Sequence, residues 1–519
     1  MQNSHTHSSH PRTEPNRLPF AILAVLGLAL LAVPLLAASQ RHMAHAAALR
    51  AAALRAAANS AGATVAPLPQ DLAVLSRAYR LERGGWTYVH LEGAPHDIGY
   101  QHGYLLAPEI ADAFAAVRLN MTHTTQRDWD FFRRAAREML WPKIDPEYQA
   151  ELQGIADALK DKKVKLDLYD VVAMNAFMEL PGYYVPWLNQ QTHAVNAPKI
   201  SSPENCSAFV ATGSWTKDHQ IVMAHNNWTS YMYGERWRII FDIAPQQGFH
   251  MLMDGFPGVI ISDDDFGVNS GGLMVTETTI SNFHGWDPNG KPEFARARKA
   301  FQYAGSIDEF VKLINGGNNG GYANDWLLGD RKTGEIAQFE QGLKATKLYR
   351  TSDGYFVGSN FVSDPEVMKL DTSFDPNNKA MSPNARHLRW DELMNEGKGR
   401  IDTTLAEVFL SDHKDSFNGK FTADVRSLCG HGDAMAEGDP SWDVRPYEPM
   451  GAVEGKVIDT RLAQAMSFDA RIGHPCGENF DAAKFLAAHP EYSWQASVLT
   501  DMNAGPWTEF RSGEHASER

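Results

Sequence analysis

Positive charge is scarce in this chain. Its 519 residues include 48 lysines and arginines against 63 aspartates and glutamates, which gives a formal net charge of −15. The sequence also lacks a basic stripe interleaved with aromatic residues. Because a negative surface repels the phosphate backbone, these absences argue against nucleic acid as a partner. They give no support either for binding to an acidic membrane surface.

Metal-ligand spacing is lacking too in the most acidic short run. Asp263, Asp264 and Asp265 are consecutive and have neither the histidines nor the alternating ligands of a metal site. We therefore expect no metal and no other cofactor.

One long apolar stretch is present, at residues 18–38, behind a polar tail at residues 1–17. About 20 apolar residues suffice to span a bilayer, which favours an uncleaved signal anchor. A basic lead, an apolar run and small residues also fit a removable signal peptide. Both interpretations predict an exported protein, periplasmic or extracytoplasmic, and the first predicts membrane anchoring. Residues 39–80 are alanine-rich and indicate a stalk or linker.

Cys206 is the strongest candidate for chemistry. It opens a strand-like run, Cys206 to Gly213, directly after a loop-like segment ending in Asn205. If the Asn205–Cys206 bond were cut, the new chain end would carry a thiol and a free α-amine that serves as its general base. The amine titrates near pH 7.7–8.0 and the thiol near 8.5, so proton exchange between them is nearly balanced. The alternative is a buried structural cysteine.

A second apolar run, Ile221 to Ala224, follows a polar turn and ends in His225-Asn226-Asn227-Trp228. Folding the two runs antiparallel brings this polar segment back beside Cys206. His225 then either orients the amine and assists proton transfer or serves as a hydrogen-bonded structural residue.

These residues, with others in the same order, resemble the phospholipase B-like family of N-terminal-nucleophile (Ntn) cysteine hydrolases. The matching segments, which extend from about Leu81 to Trp507, are Cys206-Ser207-Ala208, Ala224 to Trp228, Trp237 to Ile240, Gly255 to Gly258, Asp264 to Phe266, Gly272 to Ile280, Tyr322 to Trp326 and Gly451 to Val457. No single segment identifies the family, but several of them in the same order make the resemblance specific.

The resemblance implies a four-layer αββα Ntn sandwich of two antiparallel sheets covered by helices. It also implies autoproteolysis before Cys206, hydrolysis of an amide or ester bond of an acylated or lipid substrate, and a relation to the penicillin acyl-transferring cysteine acyltransferase group. The implied division is an N-terminal helical part at residues 81–205 and a catalytic part at residues 206–519. A disulfide between Cys429 and Cys476 is implied as well, in an oxidising compartment.

The resemblance also indicates partners for the nucleophile. Asn324 is the first choice as oxyanion donor, with Asn227 second, because side-chain amides can stabilise a developing oxyanion. Alternatively, Asn324 completes the glycine-rich turn before it. Arg238 and Glu277 are interpreted as a buried charge pair that orients the site, or as fold-stabilising residues.

The residue pattern independently predicts an α+β fold of hairpins grouped around helices. Hairpins are expected around residues 245–248 and 331–334, and one helical stretch from about Glu293 to Ile314. Before Cys206, helices are expected at residues 108–120, 128–140 and 146–159, with Gly99 and Gly103 allowing close helix packing.

We conclude from the sequence that the chain is an exported, self-processing cysteine hydrolase acting on a small acylated or lipid substrate. Two rival readings remain: an amidase or acyltransferase acting on a small acylated amine with the same Cys206, and a non-catalytic, membrane-tethered binding protein. An intact Asn205–Cys206 bond in folded protein would indicate the binding protein.

Overall fold

Hairpins dominate the chain after Cys206, while the part before it is mostly helical. The computed structural model describes residues 70–194, 206–263 and 266–514. The predicted signal or anchor at residues 18–38 and the residue Asn205 lie outside these ranges. Within them, no helix combines the length and apolarity needed to cross a membrane.

The helices before Cys206 form one group, and those after it are distributed among the strands. They are α1 (Gln70–Leu75), α2 (Pro95–Leu105), α3 (Ala107–Thr125), α4 (Trp129–Ala135), α5 (Pro146–Asp161), α6 (Leu168–Asn175), α7 (Val185–Gln191), α8 (Tyr231–Gly234), α9 (Glu293–Tyr303), α10 (Ile307–Ile314), α11 (Pro365–Asp371), α12 (Ser382–Gly397), α13 (Thr403–Leu410), α14 (Thr460–Gln464) and α15 (Ala482–Ala488).

The strands are β1 (Tyr79–Arg83), β2 (Trp86–Gly93), β3 (Ser207–Thr212), β4 (Val222–Ser230), β5 (Ile239–Pro245), β6 (Met251–Gly255), β7 (Gly267–Asn269), β8 (Leu273–Thr279), β9 (Asn324–Asp330), β10 (Glu335–Gln341), β11 (Thr346–Thr351), β12 (Gly354–Gly358), β13 (Lys414–Asp415), β14 (Lys420–Phe421), β15 (Met450–Asp459), β16 (Ser467–Ile472) and β17 (Thr508–Arg511). Helix α1 and the first two residues of strand β1 lie within the stretch 39–80 that the sequence indicates as stalk or linker.

Two large sheets carry the fold. A nine-stranded sheet has the order β1-β2-β5-β6-β7-β8-β9-β10-β11, and a six-stranded sheet has the order β12-β3-β4-β15-β16-β17. The six-stranded sheet is antiparallel throughout. In the nine-stranded sheet β2 and β5 run parallel, so the expectation of two purely antiparallel sheets is wrong for this pair. The parallel pairing joins the segment before Cys206 to the sheet formed after it.

Strand alternation explains the layers, because successive side chains point to opposite faces. In β3, Ala208 and Val210 belong to the apolar core between the two sheets, with Tyr88 and Ile240 from the other sheet. Phe209 and Ala211 face the other way.

On that outer side, the β3 side chains share a core with residues of α12 and α13, such as Trp390 and Phe409. A third core joins the outer face of the nine-stranded sheet to helices on both sides of Cys206, with Leu91, Ile110 and Phe301 among its members. Helix, sheet, sheet and helix therefore follow in order, and the αββα sandwich implied by the resemblance is confirmed.

Glycines determine how closely α2 and α5 approach. A Cβ on Gly99 would come within 1.8 Å of the Glu151 carbonyl oxygen, and one on Gly103 within 2.6 Å of the Ile155 carbonyl oxygen. A Cβ on Gly154 of α5 would clash with the His96 carbonyl oxygen. The predicted role of Gly99 and Gly103 in close helix packing is confirmed.

The predicted hairpins are also present, with β5 antiparallel to β6 and β9 antiparallel to β10. The helical stretch expected from about Glu293 to Ile314 is present, but it is divided into the two helices α9 and α10. Ser306 caps α10 by accepting a hydrogen bond from the Glu309 backbone N–H.

Candidate active site

Cys206 lies immediately before β3. The start of β3 pairs with the middle of the antiparallel strand β4. Ser207 pairs with Asn226 and Ala208 with His225, so the predicted hairpin places His225 beside the cysteine. Cys206 and His225 are both fully buried. The Cys206 Sγ, a His225 ring nitrogen and a Glu277 carboxylate oxygen all lie within 4.8 Å of one another. The structure thus brings together a thiol, an imidazole and a carboxylate.

Glu277 is held in place by side chains from the start of β9. The Tyr322 hydroxyl donates to Glu277 Oε1 at 2.9 Å. With its amide nitrogen facing the surrounding acceptors, Asn324 donates from Nδ2 to Glu277 Oε2 at 2.9 Å and to the Ala323 carbonyl oxygen at 3.2 Å. Pairing of β8 with β9 sets this arrangement, since Thr279 lies opposite Asn324. Asn324 therefore reaches the site through Glu277, and its role as an oxyanion donor stays a prediction.

Arg386 is a site residue that the sequence reasoning missed. It projects from α12 and is fully buried. Its guanidinium donates to the Cys206 carbonyl oxygen at 2.6 Å and to the Ser207 hydroxyl at 2.9 Å. Further hydrogen bonds go to Asn360 Oδ1 at 2.8 Å and to the Ser382 hydroxyl at 2.9 Å.

The guanidinium carbon of Arg386 also lies 4.6 Å from the ring centroid of Trp228 and 4.9 Å from that of Trp442. Burial lowers the pKa of Arg386 to about 9, against the opposing effects of Cys206 and Asp439. The backbone at the candidate nucleophile is thus fixed by a buried cation. The sequence signal for it, an arginine among buried positions of one helix, is weak.

Asn227 is part of a buried charged network. Its Nδ2 donates to Glu454 Oε1 at 3.1 Å. Lys456 Nζ donates to the same Glu454 oxygen at 2.9 Å and to Asp254 Oδ2 at 2.6 Å. The Ser262 hydroxyl donates to Asp254 Oδ1 at 2.8 Å. Lys456 of β15 lies opposite His225 of β4, so this network borders the histidine that lies beside Cys206.

The predicted charge pair of Arg238 with Glu277 is wrong. Arg238 precedes β5, its side chain is 44% exposed, and its ion pair is with Glu235 at 3.4 Å. Its backbone carbonyl accepts from the Thr87 N–H at the start of the parallel strand pair. Glu277 is the buried member of the predicted pair, and the arginine at the site is Arg386.

Three groups of side chains in the described part of the chain could hold a metal ion by distance alone. They are Cys206, His225 and Glu277; His90, Asp242 and His250; and His413, Cys429, His431 and Cys476. Cys429 and Cys476 are free thiols in this structure, so the expected disulfide is not formed.

Comparison with known proteins finds similar sequences. The family model described as phospholipase B matches residues 111–349. A putative phospholipase B-like 1 of Caenorhabditis elegans is 24% identical over 347 residues, which are 59% of this chain and 58% of that protein. A putative phospholipase B-like 2 of Rattus norvegicus is 31% identical over 153 residues, which are 26% of this chain and 25% of that protein. The matched part is less than two thirds of the length of these relatives.

A solved structure of a mutant conjugated bile acid hydrolase from Clostridium perfringens is 13% identical and covers 51% of this chain and 88% of that chain, with a TM-score of 0.31. The αββα sandwich with a buried cysteine at the head of an inner strand defines the class of fold. The family match over residues 111–349 and the relatives support the predicted resemblance to the phospholipase B-like family.

Proposed function

We propose that this protein is a self-processing cysteine hydrolase whose nucleophile is Cys206. The observation that carries the proposal is the mutual approach, within 4.8 Å, of the Cys206 thiol, the His225 imidazole and the Glu277 carboxylate in a buried site. The family match to phospholipase B supports hydrolysis as the reaction class.

Maturation requires the Cys206 Sγ to attack the Asn205 carbonyl carbon. The peptide bond then becomes a thioester between Asn205 and the Cys206 sulfur, and the Cys206 α-amine is released. Water hydrolyses the thioester, which leaves a carboxylate at Asn205 and restores the thiol. Arg386 supports this step because it holds the Cys206 carbonyl oxygen at 2.6 Å and so fixes the residue's backbone.

Turnover uses the terminal α-amine as the base for the thiol. Sγ attacks the substrate carbonyl carbon, the amine takes the thiol proton, and the leaving group departs as an amine or alcohol. Water then releases the acyl group from the thioester. His225 is placed to orient the amine or to assist proton transfer, and Glu277 with its donors Tyr322 and Asn324 fixes the polar side of the site.

An acylated small molecule or lipid is the proposed substrate, on the strength of the family name and an apolar surrounding. Phe266 lies with its ring centroid 6.2 Å from that of His225 and lines a neighbouring apolar cavity. That cavity measures about 10 Å³, so it holds one water at most and no acyl chain. Cys206 is fully buried, and substrate access therefore requires a structural change at this site.

The test is intact mass and N-terminal sequencing of the purified protein at neutral and mildly acidic pH, beside Cys206→Ala. Cleavage at the predicted bond gives fragments of 205 and 314 residues before any leader removal (519 − 205 = 314). Thr212→Val, at the far end of β3, is the matched control and is expected to cleave normally. Processing or turnover by the Cys206→Ala protein would refute the proposal.

Substrate preference is measured on the cleaved protein. Lipid esters, short amides and an added amine acceptor distinguish a lipid hydrolase from an amidase or an acyltransferase. A folded chain that stays uncut at every pH and hydrolyses none of these compounds would instead indicate a binding protein.

A further inference from the structure

The cluster of His413, Cys429, His431 and Cys476 lies apart from Cys206 and plays no part in the proposed mechanism. Its members come from three separate segments: the loop after α13, the stretch before β15, and the turn after β16. Cys429 is fully buried and His431 is 4% exposed, while His413 and Cys476 are partly exposed.

The distances within this cluster match those between ligands of one tetrahedral ion. His431 Nε2 lies 3.3 Å from His413 Nε2, 3.5 Å from Cys476 Sγ and 3.8 Å from Cys429 Sγ. Zinc binds sulfur at about 2.3 Å and nitrogen at about 2.0–2.1 Å. Tetrahedral angles then separate two nitrogens by roughly 3.4 Å and a nitrogen from a sulfur by roughly 3.5 Å. All four donor atoms lie within 4.8 Å of one another.

We propose that these four residues form a structural Cys2His2 zinc site. Both thiols release their protons to water on binding, so the two thiolates balance the charge of Zn²⁺. All four tetrahedral positions are filled by protein, which leaves none for a substrate or a reactive water. Such a site would overturn our expectation of no metal. The spacing of these four residues, from 413 to 476, contains no recognisable metal motif.

Backbone hydrogen bonds fix the segments that carry these ligands. The Cys429 N–H donates to the Asp412 carbonyl oxygen, which ties the second segment to the first. The Cys476 N–H points at Cys429 Sγ at 3.4 Å, the typical environment of a ligating sulfur. Cys476 sits in a turn closed by a hydrogen bond from the Gly477 N–H to the His474 carbonyl oxygen. His474, whose ring centroid lies 4.0 Å from that of His431, donates from Nδ1 to the Ala452 carbonyl oxygen at 2.6 Å and is already engaged.

An ion can reach this cluster from solvent, because His413 lines a surface cleft of about 700 Å³ together with Asp412 and Glu478.

The experiment measures metal by mass spectrometry of the full chain, purified under reducing conditions and passed over a chelating resin. The tail residues His5, His7 and His10 are changed to Ala throughout, so that they bind no metal. We expect about one zinc per chain, and a loss to a tenth or less in Cys429→Ser and His431→Ala. Cys206→Ser and His90→Ala, which alter the other two groups, are controls that keep the zinc.

Cobalt provides a readout that does not depend on a variant folding. Co²⁺ added to metal-stripped, reduced wild-type protein is expected to give the intense visible bands of tetrahedral coordination and sulfur-to-cobalt charge transfer, and Zn²⁺ is expected to abolish them. Weak octahedral bands, no zinc uptake by the reduced protein, or unchanged zinc in Cys429→Ser would each overturn the proposal.

Discussion

Arg386 gives the sharpest test of how the candidate site is held together. Its guanidinium has four acceptors, at the Cys206 carbonyl, Ser207, Asn360 and Ser382, and lies against two tryptophan rings. Hydrogen bonds to a charged group contribute about 1.5–3 kcal/mol each, and cation–π contacts of this kind about 0.5–2 kcal/mol. Against these stands the cost of burying the cation, several kcal/mol, which the lowered pKa of Arg386 reflects.

Arg386→Met removes the hydrogen-bond donors and leaves their four acceptors buried without this partner. We expect the free energy of unfolding to fall by about 3–5 kcal/mol, the range for breaking a buried charged network. Arg386→Lys keeps the charge and up to three donors but loses the planar fork, so roughly half of that loss is expected. Both are measured by denaturant unfolding in a Cys206→Ala background, where no cleavage complicates the comparison.

The same variants with Cys206 intact report on the chemistry. Because Arg386 fixes the Cys206 carbonyl, Arg386→Lys is expected to slow cleavage at Asn205–Cys206 by about 10- to 100-fold, equivalent to ~1.4–2.7 kcal/mol of barrier. Arg389→Met is the matched control, since Arg389 is also buried on α12 but pairs with Asp412 and Glu392. It should lose stability without slowing cleavage. A loss below about 1 kcal/mol in Arg386→Met, or equal cleavage rates in Arg386→Lys and wild type, would refute this reasoning.

Two further predictions concern packing and pH. Gly99→Ala places a Cβ 1.8 Å from the Glu151 carbonyl oxygen and should lower the free energy of unfolding by about 1–3 kcal/mol or more, as measured with denaturant. Gly316→Ala, whose Cβ would have its nearest neighbour 3.3 Å away, is the control and should lower it by less than about 1 kcal/mol. Equal losses in the two variants would contradict the packing argument. Burial lowers the pKa of His90, but its hydrogen bond to Asp242 at 2.6 Å prevails and raises it. The resulting stability is therefore fully present below the unfolded histidine pKa of about 6.5 and is lost as pH rises through the folded value, by on the order of 1 kcal/mol. Unfolding curves from pH 6 to pH 9 should show this decline in wild type and a flatter profile in Asp242→Asn; an unchanged slope in the variant would contradict the assignment.

Local patterns are sufficient to predict the immediate surroundings of Cys206, the candidate nucleophile. The β3–β4 hairpin is short and its alternation is clear, so the approach of His225 to Cys206 follows from the antiparallel register alone. Glu277 and Asn324 came from the family resemblance rather than from periodicity, and the pairing of β8 with β9 shows how they meet. In each case, neighbouring strands bring the residues together.

Contacts across layers could not be predicted in this way. Arg386 is 180 residues from Cys206 and reaches it from a helix that covers the opposite face of the β3 sheet. The cysteine–histidine cluster is assembled from three loops, whose backbone paths no residue period encodes. Arg238 belongs to a segment that resembles the family, but its position just before β5 leaves the side chain exposed beside Glu235. Sequence pattern indicates which face a residue occupies within its own element, and tertiary packing decides which other elements that face contacts.

Strand β4 connects the proposed zinc site to the candidate nucleophile. Asn226 Nδ2 donates to the Leu428 carbonyl oxygen at 3.0 Å, and Trp228 Nε1 donates to the same oxygen at 3.1 Å. Gly430, between the ligands Cys429 and His431, lies so close to the Trp228 ring that a Cβ there would be 1.9 Å away.

The segment that carries Cys429 and His431 therefore forms the support behind β4, while His225 on β4 lies beside Cys206. Trp228 in turn contacts Arg386, which fixes the Cys206 carbonyl. Binding of an ion that holds residues 429–431 would restrict the position of Trp228, and through it the Arg386 guanidinium at the candidate nucleophile. A structural metal at this place would stabilise strand β4 without taking part in the proposed chemistry, which is consistent with four protein ligands that leave no coordination position open.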